Sequence, residues 1–191
     1  MSTQRDILLQ VIDHLEDLDI PYMIVSSLAS GYWGRPRFTH DADMVVEVPL
    51  EKALLLGHVL EGQFYAPAFA IEKAVEERSH FNIIHLEHPF KVDFWMRKDD
   101  EFARQSFARR QRVTIFKRSV HVGSAEDTIL TKLQWYQTSP VLERQLQEAL
   151  EVYEIQQPNL DQSYLDRWAT ALTISDLLAR IREEAATPSV S

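Results

Sequence analysis

The chain has 191 residues, 20 Lys and Arg against 29 Asp and Glu, 45% apolar residues and no cysteine. That length suits one domain, or a compact core with a small helical appendage, and the missing cysteine excludes disulfides, thiolate zinc sites and cysteine nucleophiles. A net charge of −9 argues against an extended nucleic-acid binding surface. No apolar run approaches the roughly 18 residues of a membrane helix, and the first residues lead straight into an amphipathic pattern, so a soluble, non-secreted, cytoplasmic protein is expected.

Apolar residues Ile7, Leu8, Val11, Ile12, Leu15 and Leu18 recur at helical spacing and predict a helix over 4–18, ending before Ile20-Pro21. Tyr22-Met-Ile-Val25 reads as a strand, and Ser26-Ser27 is placed to cap a brief helix through about Trp33. In Asp41-Ala-Asp-Met-Val-Val-Glu-Val48, alternation puts Met44, Val46 and Val48 on one face and Asp41, Asp43, Val45 and Glu47 on the other. Pro49 ends that strand. Helices follow over 50–61 and 68–78, then a hairpin of 81–86 and 91–96 turned at His88-Pro89, then a helix over 99–110.

Residues 91–118 carry 9 basic and 4 acidic side chains between flanking segments of net charge −8 and −6. Such a segment either meets an anionic ligand or forms a solvated face. Val113–Phe116 and Val120–Val122 read as strands with Arg118-Ser119 as the turn. Four helices over 125–137, 141–156, 161–172 and 175–185 then close the chain, with a frayed end from Thr187 to Ser191. Sheet first and helices after predicts an α+β core over 1–124 with a C-terminal helical subdomain over 125–191.

Asp41 and Asp43 lie two apart on one strand, so their carboxylates project from the same face with backbones roughly 6–7 Å apart. Such a pair suits Mg²⁺, which takes hard oxygen ligands and completes its shell with substrate phosphates. The spacing alone is weak evidence: among 13 Asp, Asp17 and Asp19 repeat it at a helix end. Asp93 interrupts the apolar run Val92-Asp-Phe-Trp95, where an ionised carboxylate is costly unless it is paired, metal-bound or on a wet face. Ser124 and Asp127 have the spacing of a helix cap. Tyr153, Tyr164 and Trp168 read as core. Lys132 either neutralises phosphate or snorkels. Arg35 and Arg37 read chiefly as ion-paired or solvated, and His40, beside Asp41, as a half-exposed structural residue or a proton shuttle. No dinucleotide-binding glycine motif, Walker loop or Gly-x-Ser-x-Gly elbow is present.

The segments Tyr22-Met-Ile-Val-Ser-Ser-Leu-Ala-Ser30, Arg37-Phe-Thr-His-Asp-Ala-Asp-Met-Val-Val46 and Val92-Asp93 resemble the nucleotidyltransferase fold of the polymerase-beta superfamily. More narrowly they look like the small bacterial AbiEii-like and minimal nucleotidyltransferases, some of which belong to toxin–antitoxin pairs. The segments 124–136, 143–145 and 160–168 continue the resemblance. It implies a nucleotidyltransferase-like mixed sheet flanked by helices. It further implies Mg²⁺ on Asp41, Asp43 and Asp93, the last serving a second metal near the acceptor, and triphosphate on Ser26 and Ser27. Lys132 is the candidate to neutralise that triphosphate. The expected reaction moves a nucleoside monophosphate from NTP to the hydroxyl of a protein, RNA or small-molecule acceptor, and a cognate protein partner is implied for the toxin–antitoxin case. Two departures stand out: Ser26 replaces the family's glycine, where a side chain strains a positive φ or blocks a phosphate, and Glu148 replaces a common Asp. They support the alternative of a degenerate scaffold that binds a nucleotide or a protein without chemistry.

Overall fold

The computed structural model describes residues 4–37, 39, 41–139 and 143–187. The chain divides into two compact units, Met1–Val25 with Phe38–Val122, and Ser26–Arg37 with Gly123–Ser191.

The first unit contains α1 (Gln4–Asp17), β1 (Tyr22–Val25), β2 (Asp41–Val46), α3 (Leu50–Leu60), β3 (Phe64–Tyr65), α4 (Ala68–Glu76), β4 (His80–His85), β5 (Lys91–Met96), α5 (Glu101–Ala108), β6 (Gln111–Ile115) and β7 (Arg118–Val122), the label α2 belonging to the second unit. Five of the six apolar residues of α1, Ile7, Leu8, Val11, Ile12 and Leu15, are buried. The helix stops where Asp19 turns left-handed at φ 47. There the Ile20 amide donates to Leu15 O at 2.8 Å and the Asp19 amide to Glu16 O at 3.0 Å, satisfying carbonyls that the helix leaves open.

The seven strands form one mixed sheet in the order β3-β4-β5-β2-β1-β7-β6. β2 runs parallel to β5 and antiparallel to β1, and β1 is parallel to β7. Register builds an apolar row of Ile24, Met44, Phe94 and Phe81 across four strands, all buried. The Phe81 and Phe94 rings stack with centroids 4.8 Å apart. Burying each such side chain contributes about 1.5–3 kcal/mol, so this row fixes which face of every strand is turned inward. Asp41, Asp43 and Asp93 consequently lie on the other face.

The hairpin of β6 and β7 corrects the expected turn. Ile115 pairs with Arg118 and Thr114 with Ser119, so Arg118 and Ser119 belong to β7 and the turn is Phe116-Lys117. Both turn residues have positive φ, 52 and 66, as a type I′ hairpin turn requires.

The second unit contains α2 (Ser26–Trp33), α6 (Ala125–Thr138), α7 (Glu143–Gln156), a 3₁₀ turn at Gln157–Asn159, α8 (Gln162–Ala171) and α9 (Ser175–Ala186). The cap read at the start of α6 is formed: the Asp127 amide donates to Ser124 Oγ at 3.1 Å, and Ser124 Oγ returns a 2.7 Å bond to Asp127 Oδ2. Tyr164 Oη adds a 2.7 Å bond to Asp127 Oδ1. Tyr153, Tyr164 and Trp168 are buried, as expected of core aromatics. Gly34 lets the end of α2 meet α7, since a Cβ there would lie 2.9 Å from Ser30 O and 3.1 Å from the Val152 side chain. The segment Ser26–Arg37 thus falls with the helices, whereas the sequence reading placed it in the core. The expectations at His40, at the start of the 141–156 helix and at 188–191 lie outside the described residues. Among the described residues no helix is long and apolar enough to cross a membrane.

Candidate functional site

Strand alternation and register gather the three acids. In the parallel pair of β2 and β5, Asp43 stands opposite Asp93 and Asp41 opposite Lys91. Neighbouring strands lie about 4.8 Å apart, so Asp43 and Asp93 are adjacent, with Asp41 one step along the same face. The row through Asp43 and Asp93 continues to Val25 on β1 and Asn82 on β4.

Each carboxylate has a local partner. Thr39 Oγ1 donates to Asp41 Oδ1 at 2.6 Å, and Trp95 Nε1 donates to Asp43 Oδ1 at 3.2 Å. The Trp95 ring is braced by His80, stacked at 4.7 Å. Lys91 Nζ is 2.7 Å from Asp93 Oδ2, and the Asp93 side chain is only 13% exposed. The hydrogen bond to Asp93 raises the pKa of the Lys91 ammonium. Partial burial opposes that rise, and the charges of Asp93, Asp41 and Asp43 add to it. The expense of a carboxylate between Val92 and Phe94 is therefore met by an ion pair on the less buried face.

No group of three or more His, Asp or Glu side chains converges on one point among the described residues. The bonds to Thr39, Trp95 and Lys91 draw the three carboxylates toward different partners. The donor set nevertheless suits Mg²⁺ in kind, because that ion needs one or two carboxylates when substrate phosphates supply the rest. An ammonium already drawn to the trio marks the place as one that favours a cation.

The other expected residues lie in the helical unit. Ser26, the first residue of α2, sits at φ 55, in the left-handed region that favours glycine. Ser27 Oγ accepts from Arg37, which also pairs through Nε with Glu148 Oε1 at 2.8 Å. Lys132 is 3% exposed and pairs with Glu148 Oε2 at 2.6 Å. Ser30 Oγ donates to the same oxygen at 2.8 Å, and Arg144 Nε to Oε1 at 2.9 Å. Ser27 and Lys132 are thus joined through Arg37 and Glu148 in one network of three cations around one acid. Burial alone would push the Glu148 carboxyl up. The bond and charge of Lys132, with the bonds from Ser30 and Arg144, hold it below the usual carboxylate range.

Two members were not singled out by sequence reasoning. Lys91 shares a strand face with Asp93 and Trp95, and alternation along Lys91-Val-Asp-Phe-Trp95 is the signal by which it could have been found. Glu148 registered only as a departure from a family pattern, because α7 offers no local sign that its acid faces inward among cations.

No protein-family model matches the sequence, and no curated protein matches it. Solved structures do. The solution structure of the antibiotic-resistance factor ANT(2″)-Ia is similar over 94% of this chain and 91% of that one, at 14% identity and a TM-score of 0.53. The crystal structure of ANT(2″)-Ia in complex with adenylyl-2″-tobramycin is similar over 97% and 100%, at 15% identity and a TM-score of 0.50. An antigenic nucleotidyltransferase-like protein from Paracoccidioides brasiliensis is similar over 92% and 91%, at 16% identity and a TM-score of 0.50. The chain has the nucleotidyltransferase fold, an α+β architecture with a mixed sheet flanked by helices and a C-terminal helical part.

Proposed function

We propose that the protein is a Mg²⁺-dependent nucleotidyltransferase that moves a nucleoside monophosphate from NTP to an acceptor hydroxyl. The observation that carries this reading is the placement of Asp43 beside Asp93, with Asp41 next along the same face, in a fold shared with nucleotidyltransferases. Asp41 and Asp43 would hold the ion with hard oxygen ligands, and Asp93, beside Asp43 on β5, is the acid that the resemblance implies serves the acceptor side. Bound there, Mg²⁺ supplies neutralisation of the charge that gathers on the entering and leaving oxygens. The acceptor oxygen bonds to the α-phosphorus, the bond to the β-phosphate oxygen breaks, pyrophosphate leaves, and Asp93 takes the hydroxyl proton. Ser26 and Ser27 bind the triphosphate and Lys132 offsets its charge, as the resemblance implies. The neighbour bound to adenylyl-2″-tobramycin supports a small-molecule acceptor as the first class to test, ahead of protein and RNA. Kinship with AbiEii-like proteins of toxin–antitoxin pairs follows from the resemblance, and the neighbouring gene is its test.

Incubation of Mg²⁺ and α-labelled NTP with small-molecule, RNA and protein fractions tests the reaction. Label is expected to enter one fraction with the wild type and to fall at least about 100-fold with Asp43→Ala, whose circular dichroism stays unchanged. Transfer at the wild-type rate by Asp43→Ala overturns the assignment.

A second reading, a nucleotide- or protein-binding scaffold without chemistry, is favoured by one observation. Ser26 carries a side chain at φ 55 where the family has glycine. If the hydroxymethyl group obstructs the triphosphate, Ser26→Gly tightens Mg²⁺–NTP binding; if it does not, the affinity stays unchanged and this reading loses its support.

A further inference from the structure

Lys91 is a cation bonded to a member of the acid trio. Its Nζ lies 2.7 Å from Asp93 Oδ2, and its backbone stands opposite Asp41 in register. It is held there by the strand itself: Lys91, Asp93 and Trp95 alternate outward on β5 while Val92, Phe94 and Met96 are buried. An ordinary surface lysine would extend its ammonium into water, where a full hydration shell competes well with a single carboxylate. Here the Lys91 side chain is 43% exposed and turns back to an acid that is 13% exposed. The pair therefore covers a carboxylate that is largely withdrawn from water.

Resting on the reading of these acids as a cation site, we propose that the Lys91 ammonium is the standing counter-cation of Asp93, so that the site takes one divalent ion, on Asp41 and Asp43, rather than two. The reason is competition. The ammonium on Asp93 Oδ2 opposes a divalent ion at the same carboxylate, because two positive charges a few ångströms apart repel. The second positive charge that an acceptor-side metal would bring is then supplied by the chain, tethered by its own strand. Asp93 accordingly becomes a metal ligand only when the ammonium is removed.

Mn²⁺ in place of Mg²⁺ permits a count by electron paramagnetic resonance of the free ion. The full chain is titrated with and without a non-hydrolysable NTP analogue, as wild type, Lys91→Met, Lys91→Gln and Lys91→Met/Asp93→Asn. One ion per wild-type chain is expected, with a second ion, or at least tenfold tighter binding, in both single variants. That gain is expected to vanish in the double variant, while unfolding temperatures confirm that each protein is folded. Two ions on the wild type, or single variants that match it in count and affinity, overturn the inference and leave the nucleotidyltransferase reading standing. Mn²⁺ bound by none of the four proteins, with or without the analogue, overturns both.

Discussion

Ser26 and Glu148 hold opposite kinds of stored cost. Ser26 sits at φ 55, and a non-glycine residue in that region loses about 1 kcal/mol or more through contact of Cβ with the backbone. Ser26→Gly is therefore expected to raise unfolding free energy by about 1 kcal/mol, readable as a higher denaturant midpoint at unchanged slope. An unchanged or lower midpoint contradicts it. Glu148 is buried with Lys132, which is itself 3% exposed. Glu148→Gln leaves that ammonium without its charge partner and is expected to cost about 3–5 kcal/mol. The pH dependence has a defined sign. Because Glu148 titrates lower folded than unfolded, its contribution is complete above the unfolded value and is lost as pH falls through the folded one. Denaturation from pH 7 to pH 3 should show wild type and Glu148→Gln converging only below about pH 4.5; a constant gap contradicts the assignment. Of these residues, the sequence exposed the Ser26 problem through a family glycine. It hid the Glu148 network, whose bonded partners are up to 118 positions apart.

Elements were legible where period and punctuation agree. The alternation of Asp41–Val46 separated acids from core before any coordinates, and burial follows it residue by residue. The apolar spacing of α1 did the same for its buried stripe. β3 escaped because two residues carry no period, and it exists only by pairing with Ile84 and His85 of β4. The β6–β7 turn escaped for a chemical reason: two-residue turns of this type announce themselves by Asn-Gly or Asp-Gly, and here Phe116-Lys117 occupies the left-handed positions instead. Ser119, read as a turn residue, is a paired strand residue opposite Thr114. Replacing Phe116-Lys117 with Asn-Gly is expected to stabilise the protein by about 1 kcal/mol or more, measured by thermal unfolding. A lower unfolding temperature would show that the Arg5 guanidinium, 5.1 Å from the centre of the Phe116 ring, outweighs the backbone strain.

For the molecule as a whole, charge distribution carried information that the net value of −9 conceals. The basic stretch 91–118 meets acids of its own unit: Arg97 pairs with Glu47, Arg104 with Asp99 at 3.0 Å, and Arg118 with Asp13 at 2.5 Å and Glu16 at 2.8 Å. Most of these pairs are exposed and each is worth about 0–1 kcal/mol, and these three of the nine cations of the segment have acids of the chain as partners. Lys91 is the exception, because its acid belongs to the trio on the sheet face. Fold class was readable from the order of strands and helices. The grouping of Ser26–Arg37 with the helices was not, since contacts such as Trp33 Nε1 to Gly123 O at 2.8 Å span 90 positions.

The most direct test is calorimetric titration of the purified protein with a panel of Mg²⁺–NTPs beside the Asp41→Asn/Asp43→Asn variant. Metal-dependent binding of at least one nucleotide by the wild type, weakened at least about 100-fold in the variant, is the predicted result. Equal affinity in the two proteins, or no binding to folded wild type, would contradict a catalytic site on these carboxylates.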